Sequence, residues 1–377
     1  MAKLKLNYLA AISLFLFVML NSTSARGQGS NTINGCYKEN DGSLRRVEAP
    51  TDCKNNEIAI SWNIVGPPGP SGTNHRSALN QWWTTKPHYD LDLGTTTVGN
   101  RPRLLQSDGA DIWVANHTAH TISRVRASDG KLLETWTAAT DAWAPIVAMG
   151  RVFVAARSSP NGNLYMIDPS QPPGPVITVT SSLGANPRGI AFDGARIWTA
   201  NEGSPGSVSI VTPGPTLPWS VTTIATGLVG VHGIVYDGSN IWVTDATTLK
   251  KLDSNGNILL TVNVGSNPEA PAFDGQNIFV PNQSSNTVTV INAAAGTVVA
   301  TLSGNGLNGP FAVAFDGQRV LVTNQSGSSV SLWRVSDLTP LGSFSTGPGT
   351  NPIGVCSDGI NFWIAIDGPV PGKIARF

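Results

Sequence analysis

One phrase recurs along this chain and limits its possible folds more than any other feature. Its fullest copy runs from Val231 to Asp245 and reads VHGIVYDGSNIWVTD. An apolar run leads into an Asp-Gly turn at Asp237–Gly238, and a second apolar run follows. Asp-Gly between two β-rich runs is a strong hairpin signal, because Gly accepts the positive φ that such turns need. Copies end at Asn116 (RLLQSDGADIWVAN), Asn201 (RGIAFDGARIWTAN), Asn282 (APAFDGQNIFVPN) and Asn324 (AVAFDGQRVLVTN). A weaker copy, IGVCSDGINFWIAI, ends at Ile366, and a degenerate one, PIVAMGRVFVAA, ends at Ala156. With Met149 standing for the missing Asp, the turn anchors fall at 108, 149, 193, 237, 274, 316 and 358.

The anchors lie 37 to 44 residues apart. A period of about 42 residues with four strand-like runs is the spacing of a propeller blade. The repeat near Glu269 shows all four runs: APAF, NIFVP, TVTVI and TVVATL. After Asp358 only three runs remain, and HYDLDLG (88–94) can supply the fourth from the other end of the repeats. The expected fold is therefore all-β: a seven-bladed β-propeller over 88–377, closed by an N-terminal outer strand. Six blades plus a stray repeat is the alternative. Trp113, Trp198, Trp242, Trp363, Phe153 and Phe279 recur at one point of the second strand, where Leu321 takes the remaining place. Such a stripe predicts packing between blades.

Charged residues make up only 13% of the chain, with 24 basic and 24 acidic side chains. No basic block supplies the footprint of a nucleic-acid partner. Lys3, Lys5, the apolar run Tyr8–Leu20 and Thr23-Ser24-Ala25 read as a secretory signal over 1–25. The expected product is secreted or held at the cell surface, with no membrane span after signal removal. Cys36 and Cys53 would then form a disulfide in a small module over 26–65. Cys356, on an apolar strand, reads as a buried thiol. A Gly/Pro linker over 66–87 contains GPPGPSG, too short for a triple helix and read as a polyproline spacer.

Chemistry in such a fold gathers where the innermost strands open onto one channel mouth. Five residues before each anchor stand Arg103, Ala144, Arg188, His232, Glu269, Phe311 and Ile353. The second strands end at Asn116, Ala156, Asn201, Asp245, Asn282, Asn324 and Ile366. Ionisable groups crowd one arc, and Phe311, Ile353 and Ile366 face them. Convergent polar groups beside an apolar wall form a ligand site. Its expected contacts are Arg103, Arg188, His232, Glu269, Asn201, Asn282 and Phe311. The same charges could instead only neutralise one another. His232 with Asp245 would make an oriented base, with Arg188 or Arg103 facing a developing oxyanion. No nucleophile elbow, zinc-type His pair or haem-attachment motif occurs. His117 and His120 are expected to be surface groups, and no metal site is expected from the residues themselves.

Two resemblances follow from these residues. NGCY (34–37), GSLRRV (42–47), Cys53, ISWN (60–63) and GPPGPSG (66–72) resemble a Cys-bracketed module found ahead of collagen-like regions in bacterial surface proteins. HGIVYDGSNIWVTD, with the repeat over 88–377, resembles the streptogramin B lyase-type propellers. That second resemblance implies a Mg²⁺-dependent carbon–oxygen lyase that opens cyclic lactones, with His232 as base and Asp245 where the family has a Glu. The other strand ends are Asn or apolar, and Asn is a weak Mg²⁺ ligand. The expected function is binding of a small molecule, glycan or protein at the mouth, without a cofactor. The lyase and a purely structural surface module stand as alternatives.

Overall fold

The computed structural model describes residues 32–38, 43–63, 94–368 and 370–377. The expected signal (1–25), the Gly/Pro linker (66–87) and residues 88–93 lie outside them. The chain divides into two compact units, Met1–Lys86 and Pro87–Phe377. No helix among the described residues is long and apolar enough to cross a membrane.

In the first unit three antiparallel strands pair in the order Leu44–Val47, Thr32–Tyr37, Ile58–Asn63. Cys36, on the central strand, is bonded to Cys53 just after the short 3-10 turn Pro50–Asp52. Asp52 accepts the Ala49 N–H at 3.0 Å, and Arg45 meets Glu57 at 2.7 Å. A sheet this small buries little apolar surface, so the crosslink contributes much of its order by restricting the unfolded chain.

In the second unit the strands among the described residues form seven four-stranded antiparallel sheets. Six use consecutive strands, from Pro102–Ser107 to Pro340–Ser345. The last joins Pro352–Ser357, Phe362–Ile366 and Lys373–Arg376 to Gly94–Thr97, with Lys373 opposite Thr97 and Arg376 opposite Gly94. The joining strand thus falls at Gly94–Thr97, and of the expected segment 88–94 only Gly94 is described. The first strand of each sheet neighbours the first strand of the next, and Pro352–Ser357 returns to Pro102–Ser107. First strands therefore line the middle and fourth strands lie outside.

Six of the seven inner hairpins among the described residues are fixed by an Asp. Asp193 Oδ1 accepts the N–H groups of Ala195 (2.9 Å) and Arg196 (2.6 Å), while Oδ2 accepts the Trp198 indole at 2.7 Å. The same carboxylate–indole bond joins Asp108 to Trp113 (2.9 Å), Asp237 to Trp242 (2.7 Å) and Asp358 to Trp363 (2.8 Å). Gly194, with φ 94°, turns where a side chain would be strained. Burial raises the Asp193 pKa, but bonds from Trp198, Arg196 and Ala195 outweigh it and leave the group below its ordinary value. Asp108 is lowered in the same way, with burial opposing the bonds from Trp113 and the turn amides.

The aromatic stripe joins neighbouring sheets. Trp113 shares a buried cluster with Val152 and Val154 of the next sheet, Trp198 with Ile241 and Val243, and Trp242 with Ile278 and Val280. Trp363 returns to Ile112 and Val114 of the first sheet. All four indoles are fully buried. Burying an aromatic of about 200 Å² gives roughly 5 kcal/mol at about 25 cal/mol/Å², an upper bound. Cys356 is buried too, and desolvation pushes its thiol pKa up.

Candidate functional site at the channel mouth

First strands enter their sheets through an irregularity. Pro102 pairs with Asn116, Pro187 with Asn201, Val231 with Asp245, Pro310 with Asn324 and Pro352 with Ile366, and the register then slips. A bulge re-aims the residues beside it. The residue following each of these pairs is Arg103, Arg188, His232, Phe311 or Ile353. A bridge from Pro268 to Asn282 puts Glu269 at the same step. In the second sheet Ala142 pairs with Ala156 and Ala144 with Ala155, so the residue at the slip is Trp143. The expected Ala144 is thereby corrected. Ala148 pairs with Arg151 as Asp108 bonds Asp111, so Ala148 and not Met149 fills the Asp position.

Closeness of the inner strands depends on glycine here. A Cβ on Gly233 would stand 2.3 Å from the Glu269 carbonyl oxygen. The Gly233 N–H instead donates to Thr244 Oγ1 at 2.7 Å, and that hydroxyl reaches the Glu269 carbonyl at 3.2 Å. His232 and Glu269, 37 residues apart in sequence, are thus brought side by side by backbone packing.

The ends of the second strands do not face the mouth. Asn201 is fully buried and donates to Ser207 (3.1 Å) and Ser209 (3.0 Å) of the third strand. Asn282 does the same to Thr287 (3.1 Å) and Thr289 (2.9 Å). Asp245 is buried as well; it accepts the N–H groups of Val229 (3.0 Å) and Gly230 (2.6 Å) and holds Lys250. The structure therefore does not bring Asp245 to His232. Side chains alternate along a strand, so the residue one step further turns to the mouth. Those residues include His117, Arg157, Glu202, Gln283 and Asp367.

The two sets interlock. Arg188 donates to Glu202 Oε1 and to Glu269 Oε2, both at 3.0 Å. His232 lies between the same carboxylates, with Nε2 3.5 Å from Glu202 and Nδ1 3.3 Å from Glu269. Asn267 donates to Glu269 at 3.2 Å, and Arg157 pairs with Glu202. Arg103 meets Asp367 at 3.2 Å, with Arg101 at 3.3 Å from the other oxygen. Three guanidinium carbons surround the Trp143 ring, those of Arg103 (4.7 Å), Arg157 (4.9 Å) and Arg188 (5.4 Å). Arg188 also lies 5.6 Å from the Phe311 ring, so it reaches from the third sheet to the second, fifth and sixth. Cation–π attraction and paired carboxylates hold it across the opening.

Burial lowers the Arg103 pKa to about 10; Asp367 opposes this, and the like charges of Arg101, Arg188 and Arg157 add to it. Burial lowers Arg157 as well, opposed by Glu202 and reinforced by Arg188. His117 stands edge-on to Trp143 at 5.4 Å, its pKa lowered by burial and by Arg103. His120 accepts the Asp141 N–H at 3.0 Å. A cavity of about 480 Å³ runs along the inner strands, bordered by Trp143, Arg188, His232, Glu269 and Phe311.

These donors do not suit Mg²⁺. All four oxygens of Glu202 and Glu269 already face Arg157, Arg188, Asn267 or His232. A dication placed there would also meet the surrounding guanidiniums, whereas Mg²⁺ requires free oxygen ligands in octahedral array.

Solved structures of similar shape include a streptogramin B lyase, with TM-score 0.61 and 15% identity over 75% of this chain and 97% of that one. Hydrazine synthase of Kuenenia stuttgartiensis matches with TM-score 0.61 and 19% identity, over 77% and 99%. The WD40 β-propeller domain of Doa1 gives 0.59 and 11%, over 76% and 95%. The fold is a β-propeller. At these identities the likeness concerns the scaffold, which hosts unrelated functions. No protein family and no curated protein sequence matches the chain.

Trp143, Arg157, Glu202 and Asp367 complete the site and were not among the expected residues. The alternation rule, applied one step beyond Ala156, Asn201 and Ile366, would have found the last three. Trp143 had no such signal, because its repeat lacks the Asp that sets the count.

Proposed function

We propose that this chain is an exported seven-bladed propeller that binds a ligand non-covalently at its channel mouth. Its N-terminal sheet and linker act as a disulfide-held stem that displays it at or beyond the cell surface. The observation that carries this reading is the single cluster formed by Trp143, Arg157, Arg188, Glu202, His232 and Glu269 at the edge of the cavity. These side chains come from four sheets and differ in every one. A scaffold needs no such departure from its repeat, whereas recognition does. A ligand screen by thermal shift tests the reading: a ligand raises Tm in the wild type and not in Arg188→Ala/Glu269→Ala. Equal shifts in both proteins would place binding elsewhere.

A second reading keeps His232 as a general base, supported by its position between two carboxylates. Glu269 rather than Asp245 would orient it. It predicts that the protein opens a cyclic depsipeptide lactone and that His232→Ala abolishes this. Absence of turnover by the wild type, with and without Mg²⁺, removes this reading.

A further inference from the structure

We propose that the mouth takes an organic monocarboxylate, its carboxylate set among Arg103, Arg157 and Arg188 and its apolar body in the channel. This rests on the mouth being the binding site, and it names the ligand class.

The charge balance points first in this direction. Arg101, Arg103, Arg157 and Arg188 meet Glu202, Glu269 and Asp367, so four guanidiniums face three carboxylates. Asp141 makes no ion pair with these guanidiniums; it lies beside His120, whose Nδ1 accepts its N–H. The ion-paired set therefore carries an excess of one guanidinium, in a concave setting where field lines are focused. A monoanion balances it. A cation would add to it, and a neutral sugar would leave it unchanged.

The donor inventory agrees. Arg103 is 6% exposed, yet its Nε has no hydrogen-bond partner. A buried donor left unmade is costly, and a carboxylate is the acceptor whose two oxygens match the guanidinium fork. Around Trp143 three like charges stand within 5.4 Å of one ring. The indole offsets part of their repulsion, and an anion shared among them would offset more. The lowered pKa of Arg103 reflects burial and the same crowding.

The cavity supplies the second half of the ligand. Its about 480 Å³ lies within the range of small-molecule sites, and Ile190, Ile234, Ala312 and Val355 form part of its wall. Arg188 and Trp143 border the cavity, and Arg103 and Arg157 stand against the same Trp143 ring, so a carboxylate joined to an aromatic or short aliphatic body spans both parts.

The test uses the full chain with sodium benzoate and sodium octanoate against benzamide, read by calorimetric titration and thermal shift. The expected result is saturable benzoate or octanoate binding, with benzamide at least tenfold weaker. Arg103→Gln should weaken carboxylate binding at least tenfold. Arg103→Lys, which keeps the charge and loses Nε, should fall between them, so a folding defect in the Gln variant does not decide the outcome. Benzamide binding as tightly as benzoate would overturn the proposal, and so would unchanged affinity in both Arg103 variants. If neither carboxylate binds while a neutral glycan stabilises the wild type but not Arg188→Ala/Glu269→Ala, the carboxylate class falls and the mouth stands. If no ligand of any class shifts the wild type, both fall.

Discussion

The two ends of the inner hairpins follow opposite rules. At the turn end the repeat copies itself: Asp accepts two turn amides and an indole, Gly takes positive φ, and Trp fills the gap to the next sheet. At the open end Arg103, Trp143, Arg188, His232, Glu269, Phe311 and Ile353 occupy one structural position with almost no repetition. The first end satisfies its polar groups within each hairpin. The second satisfies them between sheets, as when Arg188 reaches Glu269 across 81 positions of sequence. Stability is thus built locally and repeatedly, and the mouth is built once, from residues that depart from the repeat.

Three substitutions test that division. The largest effect is expected from Trp242→Ala at the repeated end, a loss of about 3–5 kcal/mol from a buried aromatic, measured by urea unfolding. A loss under about 1 kcal/mol would mean that the stripe does not join the sheets. At the mouth, Glu269→Ala should cost about 2–4 kcal/mol, because it removes the more buried of the two carboxylates that hold Arg188 and His232 and leaves them only Glu202. Adding Arg188→Ala should recover part of this, so that the double variant is more stable than the sum of the single losses predicts. Strict additivity would show that the mouth charges act independently.

The smallest effect is a pH dependence of the turns. Asp193 and Asp108 have pKa values below the ordinary carboxyl range in the folded protein. Their contribution is therefore present above the unfolded pKa, about 4, and is lost as pH falls through the lower folded value. Asp193→Asn should flatten the acid limb of the Tm–pH curve below about pH 4, leaving the curve at neutral pH parallel to the wild type. An unchanged acid limb would assign acid sensitivity elsewhere.

Much of the repeated end was legible in the sequence, because its chemistry is local. Asp193 and Trp198 are five residues apart, and hairpin geometry alone makes them meet. The mouth was legible in part. Arg103, Arg188, His232 and Glu269 were found by counting from the turn, since the count holds wherever the Asp is present. It failed at Trp143, where Ala148 replaces the Asp and shifts the frame by one residue. The second-strand residues were displaced by one as well, and one step along a strand reverses the face. That step exchanges Asn201 for Glu202 and Asp245 for Ala246, and it changes which acids surround His232.

What the sequence determined by itself was the period, the turn and the alternation of apolar residues, all of which act within a few positions of the chain. What only the tertiary structure decided was which charges meet. Arg103 and Asp367 lie 264 positions apart and pair at 3.2 Å because the ring of sheets returns to its start. Nothing local marks such a partner: a buried charge takes whatever opposite charge the backbone brings within reach, and here the bulges and the close approach at Gly233 set that reach.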